Sequence, residues 1–172
     1  MHPDLPIEQL LRRKGKAFQF AFATEAKELL PQDEAFLLDA SHKGLRVLAR
    51  NEDGLTAPVA VLREVYGPSL EVGPPRVRLI EGVQVKEPIM HVRISMYESA
   101  RKLVKRALQR RGAALCEEYV RSRYCVLRAE APLADLLGFS SELARLTAGT
   151  AKHWIALSHY AIVTRDPGGR AA

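Results

Sequence analysis

Residues 87–113 read EPIMHVRISMYESARKLVKRALQRRGA, and this stretch decides the fold. Met90, Val92 and Ile94 alternate with His91, Arg93 and Ser95, the period of a half-buried strand. Ser95 stands three residues before Glu98, a capping-box spacing that predicts a helix start. Ala100, Leu103, Val104, Ala107 and Leu108 then recur at i, i+3, i+4, i+7 and i+8, one apolar helical stripe. The opposite face carries Arg101, Lys102, Lys105, Arg106, Arg110 and Arg111. Gly112 is the expected C-terminal cap, and late cations suit the helix dipole. The stretch therefore predicts a strand feeding a helix that covers a sheet and presents a cationic ridge.

The charge of the whole chain is concentrated there. Net charge is +6. Residues 1–86 hold 12 Lys+Arg against 12 Asp+Glu, and residues 87–172 hold 14 against 8, so the second half carries all of it. A polyanion partner fits that asymmetry, and a solvated helix face with no partner fits it as well. At 172 residues and 47% hydrophobic content the chain can build one core or two small ones. No apolar run approaches the ~20 residues of a membrane span. Met1-His2-Pro3-Asp4 lacks a basic-then-apolar leader, so a cytoplasmic location is expected. Cys116 and Cys125 are too few for a disulfide framework.

From the N-terminus, residues 6–13 read as a helical turn or arm, with Lys14 and Lys16 adding a small basic cluster. Residues 16–23 read as a strand because Phe18, Phe20 and Phe22 alternate with small or polar residues. Three aromatics on one sheet face predict either core or a base-stacking platform, and burial is the commoner fate. A helix over 25–36 is interrupted by Pro31. Residues 36–40 and 45–50 flank Ser41-His42-Lys43-Gly44, a hairpin with His42 exposed at the turn. Asn51-Glu52-Asp53-Gly54 has no calcium-loop spacing and reads as a solvated turn. A helix over 55–66 enters through Thr56 and Pro58 and stops at Gly67-Pro68. Residues 70–80 form a strand bent at Gly73-Pro74-Pro75.

After a brief linker at 81–86, the same order returns. A hairpin over 115–120 and 123–130 turns about Arg121-Ser122, with both cysteines reduced and packed on one face. Pro132 opens a helix carrying Leu133, Leu136, Leu137, Leu143 and Leu146, which Gly138 breaks or bends. The last strand, 153–163, points Ile155, Leu157 and His159 inward, and Arg165-Asp166-Pro167-Gly168-Gly169 forms a frayed tail. Two βαββαβ units predict an α+β protein of two tandem ferredoxin-like (split βαβ) domains, at 1–81 and 87–165. Each has an antiparallel sheet with helices on one face.

Catalytic signatures are missing. The chain has neither a phosphate-binding loop of the G-x-x-x-x-G-K-[ST] type nor a G-x-G-x-x-G turn, and no Cys/His zinc spacing. His2, His42, His91, His153 and His159 are scattered, none beside a Ser or Cys in a nucleophile motif. No enzyme activity, cofactor, metal or GTP binding is expected of this chain alone.

The second half resembles the C-terminal domain of the elongation factor G family of translational GTPases. Glu87-Pro88-Ile89-Met90 opens the matching region and Arg110-Arg111-Gly112 closes its first helix. Residues 128–135 (RAEAPLAD), Leu137-Gly138-Phe139, Leu143 with Leu146-Thr147 and Gly149, and His159-Tyr160 follow in order. The first half resembles the family's preceding ferredoxin-like third domain through Leu62-Arg63-Glu64, Tyr66-Gly67 and residues 72–77 (VGPPRV), with Phe18 to Phe22 as its first strand. The family's GTP-binding, β-barrel and elongated fourth domains have no counterpart here. Its Gly-Glu-Leu-His signature is replaced by Asn51-Glu52-Asp53-Gly54-Leu55-Thr56, and its Gly-Arg-Gly by Ala148-Gly149-Thr150-Ala151.

The resemblance implies a non-enzymatic, ribosome- or ribosomal-RNA-associated protein of translation, with the six ridge cations as its nucleic-acid contacts. Three alternatives stand beside it: a protein-interaction module acting on a GTPase in trans, a small-molecule regulatory domain, and a C-terminal fragment of a larger translational GTPase. Met1 and the polar tail favour a complete gene product over a fragment.

Overall fold

The computed structural model describes residues 4–31 and 33–163; the expected tail at 165–169 lies outside them. The chain divides into two compact units, the first ending at Arg78 and the second beginning at Leu79. Each is a βαββαβ arrangement with an antiparallel sheet, so the tandem ferredoxin-like α+β fold is the observed one.

The first unit runs β1 (Ile7–Arg13), α1 (Gln19–Leu29), β2 (Phe36–Ser41), β3 (Gly44–Ala49), α2 (Thr56–Tyr66), β4 (Leu70–Val72) and β5 (Arg76–Val77). Its strand order is β2-β3-β1-β4, with β5 also pairing with β1. The break between β4 and β5 falls at Gly73-Pro74-Pro75, as the missing proline N–H groups require. Gly44 closes the β2–β3 hairpin at φ +132, where an added Cβ would stand 2.3 Å from the Leu11 carbonyl oxygen.

Two expectations fail at the start of the chain. Residues 6–13 are not a helical turn, because Ile7 and Leu11 are fully buried on one face of a strand with Gln9 between them. Residues 16–23 are not a strand. Arg13 N–H donates to the Gln19 side-chain oxygen at 3.0 Å, and the Gln19 amide donates back to the carbonyls of Arg13 (2.9 Å) and Lys16 (2.8 Å). That clasp turns the chain into α1, whose buried face is Phe22, Ala23 and Ala26. Residues two apart on a helix diverge by about 200°, so Phe22 is buried and Phe20 exposed, while Phe18 stands outside the helix at its extended N-cap and is exposed as well. The three phenylalanines form neither one core face nor a stacking platform. Pro31 follows the helix rather than interrupting it.

The second unit runs β6 (Lys86–Tyr97), α3 (Arg101–Arg110), β7 (Ala114–Arg121), β8 (Tyr124–Pro132), α4 (Leu133–Leu136), α5 (Phe139–Leu146) and β9 (Lys152–Ile162), in strand order β7-β8-β6-β9. Residues 81–86, read as a linker, close a loop bridged by Ile80 and Lys86 at 2.9 and 3.0 Å. Met90, Val92, Ile94 and Met96 of β6 and Cys125, Leu127, Ala129 and Ala131 of β8 are all buried under the helices. Gly138, at φ +77, separates α4 from α5.

Four finer expectations are corrected here. No side-chain cap starts α3: β6 extends through Ser95 to Tyr97, which pairs with Tyr124, and a 3-10 turn over Glu98–Ala100 follows. The β7–β8 turn is Ser122-Arg123, one residue later than expected, with Arg121 paired to Tyr124. A bulge between Leu115 and Glu117 puts Cys116 in solvent while Cys125 is buried, so the two thiols do not share a packed face. A register shift at Ile89/Met90 pairs Ile89 with His159 and Met90 with Leu157. Ser158 becomes the extra residue, and His159 is exposed rather than inward.

Candidate nucleic-acid interface

Helix α3 lies on its sheet through Val104, Ala107 and Leu108, all buried. Leu103, expected in the apolar stripe, is half-exposed beside it. The stripe is narrower than the sequence suggests because the helix is only 10 residues long and Ala100 belongs to the preceding turn. Gly112 caps the helix at φ +71, and Ala113 N–H donates to the Leu108 carbonyl at 3.0 Å, satisfying a terminal acceptor.

The six cations expected in solvent divide into three groups. Arg101 and Lys105 lean onto β7, where the Glu118 carboxylate accepts from Arg101 at 2.7 Å and from Lys105 at 2.6 Å. Arg101 also meets Glu98 at 3.3 Å. The hydrogen bonds from Lys105 and Arg101 hold the Glu118 carboxyl below its usual range.

Arg111 is structural. Its guanidinium donates to Glu142 at 3.0 and 2.8 Å and to the carbonyls of Asp135 (2.8 Å) and Leu137 (2.9 Å). It also sits 5.5 Å from the Phe139 ring centroid. One side chain thus ties the end of α3 to the α4–α5 break. Its hydrogen bonds push the Glu142 carboxyl pKa down, against burial.

The third group is Lys102, Arg106 and Arg110, at i, i+4 and i+8, all exposed. Arg110 shares Glu142 at 2.9 Å but keeps most of its side chain in solvent. Among the described residues no acidic side chain pairs with Lys102 or Arg106. Adjacent turns of a helix align i and i+4, so these side chains form one outward cationic row about 12 Å long. Its backbone is fixed from below by the buried stripe. Such a row can meet several phosphates of one polyanion without reorganising the protein. Arginine supplies paired donors, and lysine a mobile point charge.

Sequence reasoning did not find the acids that divide the ridge. Glu118 lies 17 and 13 residues from Arg101 and Lys105, and Glu142 lies 32 and 31 from Arg110 and Arg111, so only strand register and helix packing bring them beside α3. Among the described residues no cluster suits a metal ion, and no helix is long and apolar enough to cross a membrane.

Comparison with known proteins places the chain in a family. Residues 84–170 match the family model described as elongation factor G C-terminus. Elongation factor G 2 of Hahella chejuensis is 31% identical over 129 residues, which are 74% of this chain and 17% of that protein. The mitochondrial ribosome-releasing factor 2 of Danio rerio is 34% identical over 79 residues, 46% of this chain and 10% of that one. The chain therefore spans less than a fifth of either curated relative. A crystal structure from Thermus thermophilus covers 94% of this chain and 41% of its own, at a TM-score of 0.67 and 16% identity, a likeness of fold. Matched over half its length, in the half that holds the basic helix, the chain belongs to the elongation factor G C-terminus family.

Proposed function

We propose that this chain is a non-enzymatic, translation-factor-like protein of the cytoplasm that associates with the ribosome through ribosomal RNA. Its first unit takes the part of the family's third domain and its second that of the C-terminal domain, and neither unit carries a phosphate-binding loop motif. The observation that carries the reading is the outward row Lys102, Arg106 and Arg110 on a helix anchored to a sheet. Family membership supports the partner, since the relatives are named for elongation and for ribosome release. A protein partner, such as a GTPase acted on in trans, is the second reading. It is favoured by half-exposed Leu103, an apolar side chain flanking the row near its Lys102 end.

Charge reversal separates the two. Lys102→Glu, Arg106→Glu and Arg110→Glu together should leave the circular dichroism spectrum unchanged, because Lys102 and Arg106 are surface positions unpaired among the described residues, costing within about 0.5 kcal/mol each, and Arg111 still holds Glu142 when Arg110 is reversed. Pelleting with ribosomes at low salt should be lost, each reversal removing an attraction and adding a repulsion. A folded triple variant that pellets as wild type does would remove α3 from the mechanism.

A further inference from the structure

The second sheet has a face opposite its helices, and strand register fixes what stands on it. Tyr97 lies beside Tyr124, Arg93 lies between Arg128 and Trp154, and Ser95 lies between Val126 and Lys152. Tyr119 continues that last row beyond Val126. Tyr97, Tyr119, Tyr124 and Trp154 are 44%, 59%, 60% and 59% exposed. Large aromatics normally bury, so four of them on one open face mark an interaction surface. The Tyr97 and Tyr124 rings are already stacked, with centroids 5.1 Å apart and planes 29° apart. Trp154 rims a depression of about 720 Å³ with His91, Arg93, Cys116, Glu117 and Arg128.

Cations are interleaved with these rings. Arg93, Arg121, Arg128 and Lys152 share the face with three acids, Glu87, Glu117 and Glu130, of which the two nearest the rings, Glu117 and Glu130, are engaged. Glu117 pairs with Arg128 at 3.0 Å, and Glu130 with His91 at 3.1 Å and with the Ser158 hydroxyl at 3.0 Å. Among the described residues no acid pairs with Arg93 or Lys152. Flat rings for base faces, with arginines between them for phosphates, is the chemistry that holds a single strand. A duplex buries its base faces in its own stack and could use only the cations. Tyr97 is four residues from Arg93 and its neighbour Trp154, about 13 Å along β6, which leaves room for more than one stacked base.

We propose that this open face, on the side of the sheet away from α3, is a second binding site that takes single-stranded RNA by stacking bases on Trp154 and on the Tyr97–Tyr124 pair. The stacking chemistry stands on the geometry alone; the choice of RNA over DNA rests on the proposed ribosomal function.

Trp154 is the sole tryptophan of the chain, so its fluorescence reports the event directly. The intact chain is titrated at low salt with an oligoadenylate RNA of about eight nucleotides. Saturable quenching is expected, with weak or no response to inorganic polyphosphate of equal charge or to duplex RNA. Tyr124→Ala should weaken the oligonucleotide by roughly tenfold. Trp154→Ala should do the same when binding is read by anisotropy of a labelled oligonucleotide, with circular dichroism confirming both folds. The Lys102, Arg106 and Arg110 reversal should keep the quenching, so the failure of this site and the failure of the helix reading are separable. Equal responses to RNA, duplex and polyphosphate, undiminished binding by Tyr124→Ala and Trp154→Ala, or loss of quenching in the helix variant would each overturn the assignment. Equal affinity for the matching DNA would overturn the choice of RNA. Self-association abolished by Tyr124→Ala, with no oligonucleotide response, would overturn it in favour of a protein partner.

Discussion

Arg106 and Arg111 are five residues apart in one basic run, yet their surroundings give them different work. Arg111 holds two carbonyls and Glu142, and truncating it leaves those acceptors unsatisfied in a half-buried place. Arg111→Ala should cost about 1–3 kcal/mol, whereas Arg106→Ala should stay within about 0.5 kcal/mol; urea unfolding of the two variants checks the contrast. Glu142 gives the matching pH effect. Its folded pKa is depressed, chiefly by the Arg111 hydrogen bond. The stability it contributes is therefore fully present above its unfolded value, about 4.3, and is lost as pH falls through the folded value. Glu142→Gln should flatten the acid limb of the stability curve, and an acid limb as steep as wild type would contradict the ion pair. None of this was legible in the sequence, where RALQRRG offers equivalent cations. The division depends on which turn of the helix meets α5. Cys116 and His159 were misread for a related reason, since each lies at or next to a bulge that pattern alone does not reveal.

At the scale of elements, legibility followed the length of the pattern. β6 alternates from Met90 through Met96, long enough to exclude a helix, and the β2–β3 hairpin announced itself through its turn. The start of the chain carried two short patterns that each fit the wrong period. Ile7, Leu10 and Leu11 mimic a helical face, and Phe18, Phe20 and Phe22 mimic a strand. What settled them is the Gln19 clasp, a contact between side chain and backbone with no sequence signature. The helical assignment predicts unequal phenylalanines. Phe22→Ala should cost about 3–5 kcal/mol, because Phe22 packs edge-on against Tyr66 at 5.2 Å. Phe18→Ala, at an exposed position, should cost within about 0.5 kcal/mol. Equal losses in thermal or urea unfolding would restore the strand reading. Tyr66 itself is pushed up to about 12, by burial first and then by its hydrogen bond to Glu25. That contribution is present below about pH 10 and lost as pH rises toward the folded value.

For the whole molecule, the doubled βαββαβ order and the family residues of the second half were both readable without coordinates. The open aromatic face was not, because Tyr97, Tyr119, Tyr124 and Trp154 come from four strands and only register assembles them. With no phosphate-cradling loop in the sequence, the chain alone should show no saturable micromolar binding of GTP in calorimetry, and such binding would reveal a site that the fold builds without a motif. The central claim is that an outward cationic row docks on ribosomal RNA. Co-sedimentation with purified ribosomes across a salt series tests it most directly. Counterion release of roughly 0.7–0.9 per phosphate contact predicts that the three-cation row of α3 gives a log–log slope of about −2 to −3, with binding at low salt and release as salt rises. Binding that is indifferent to salt, or absent even at the lowest salt, would contradict it.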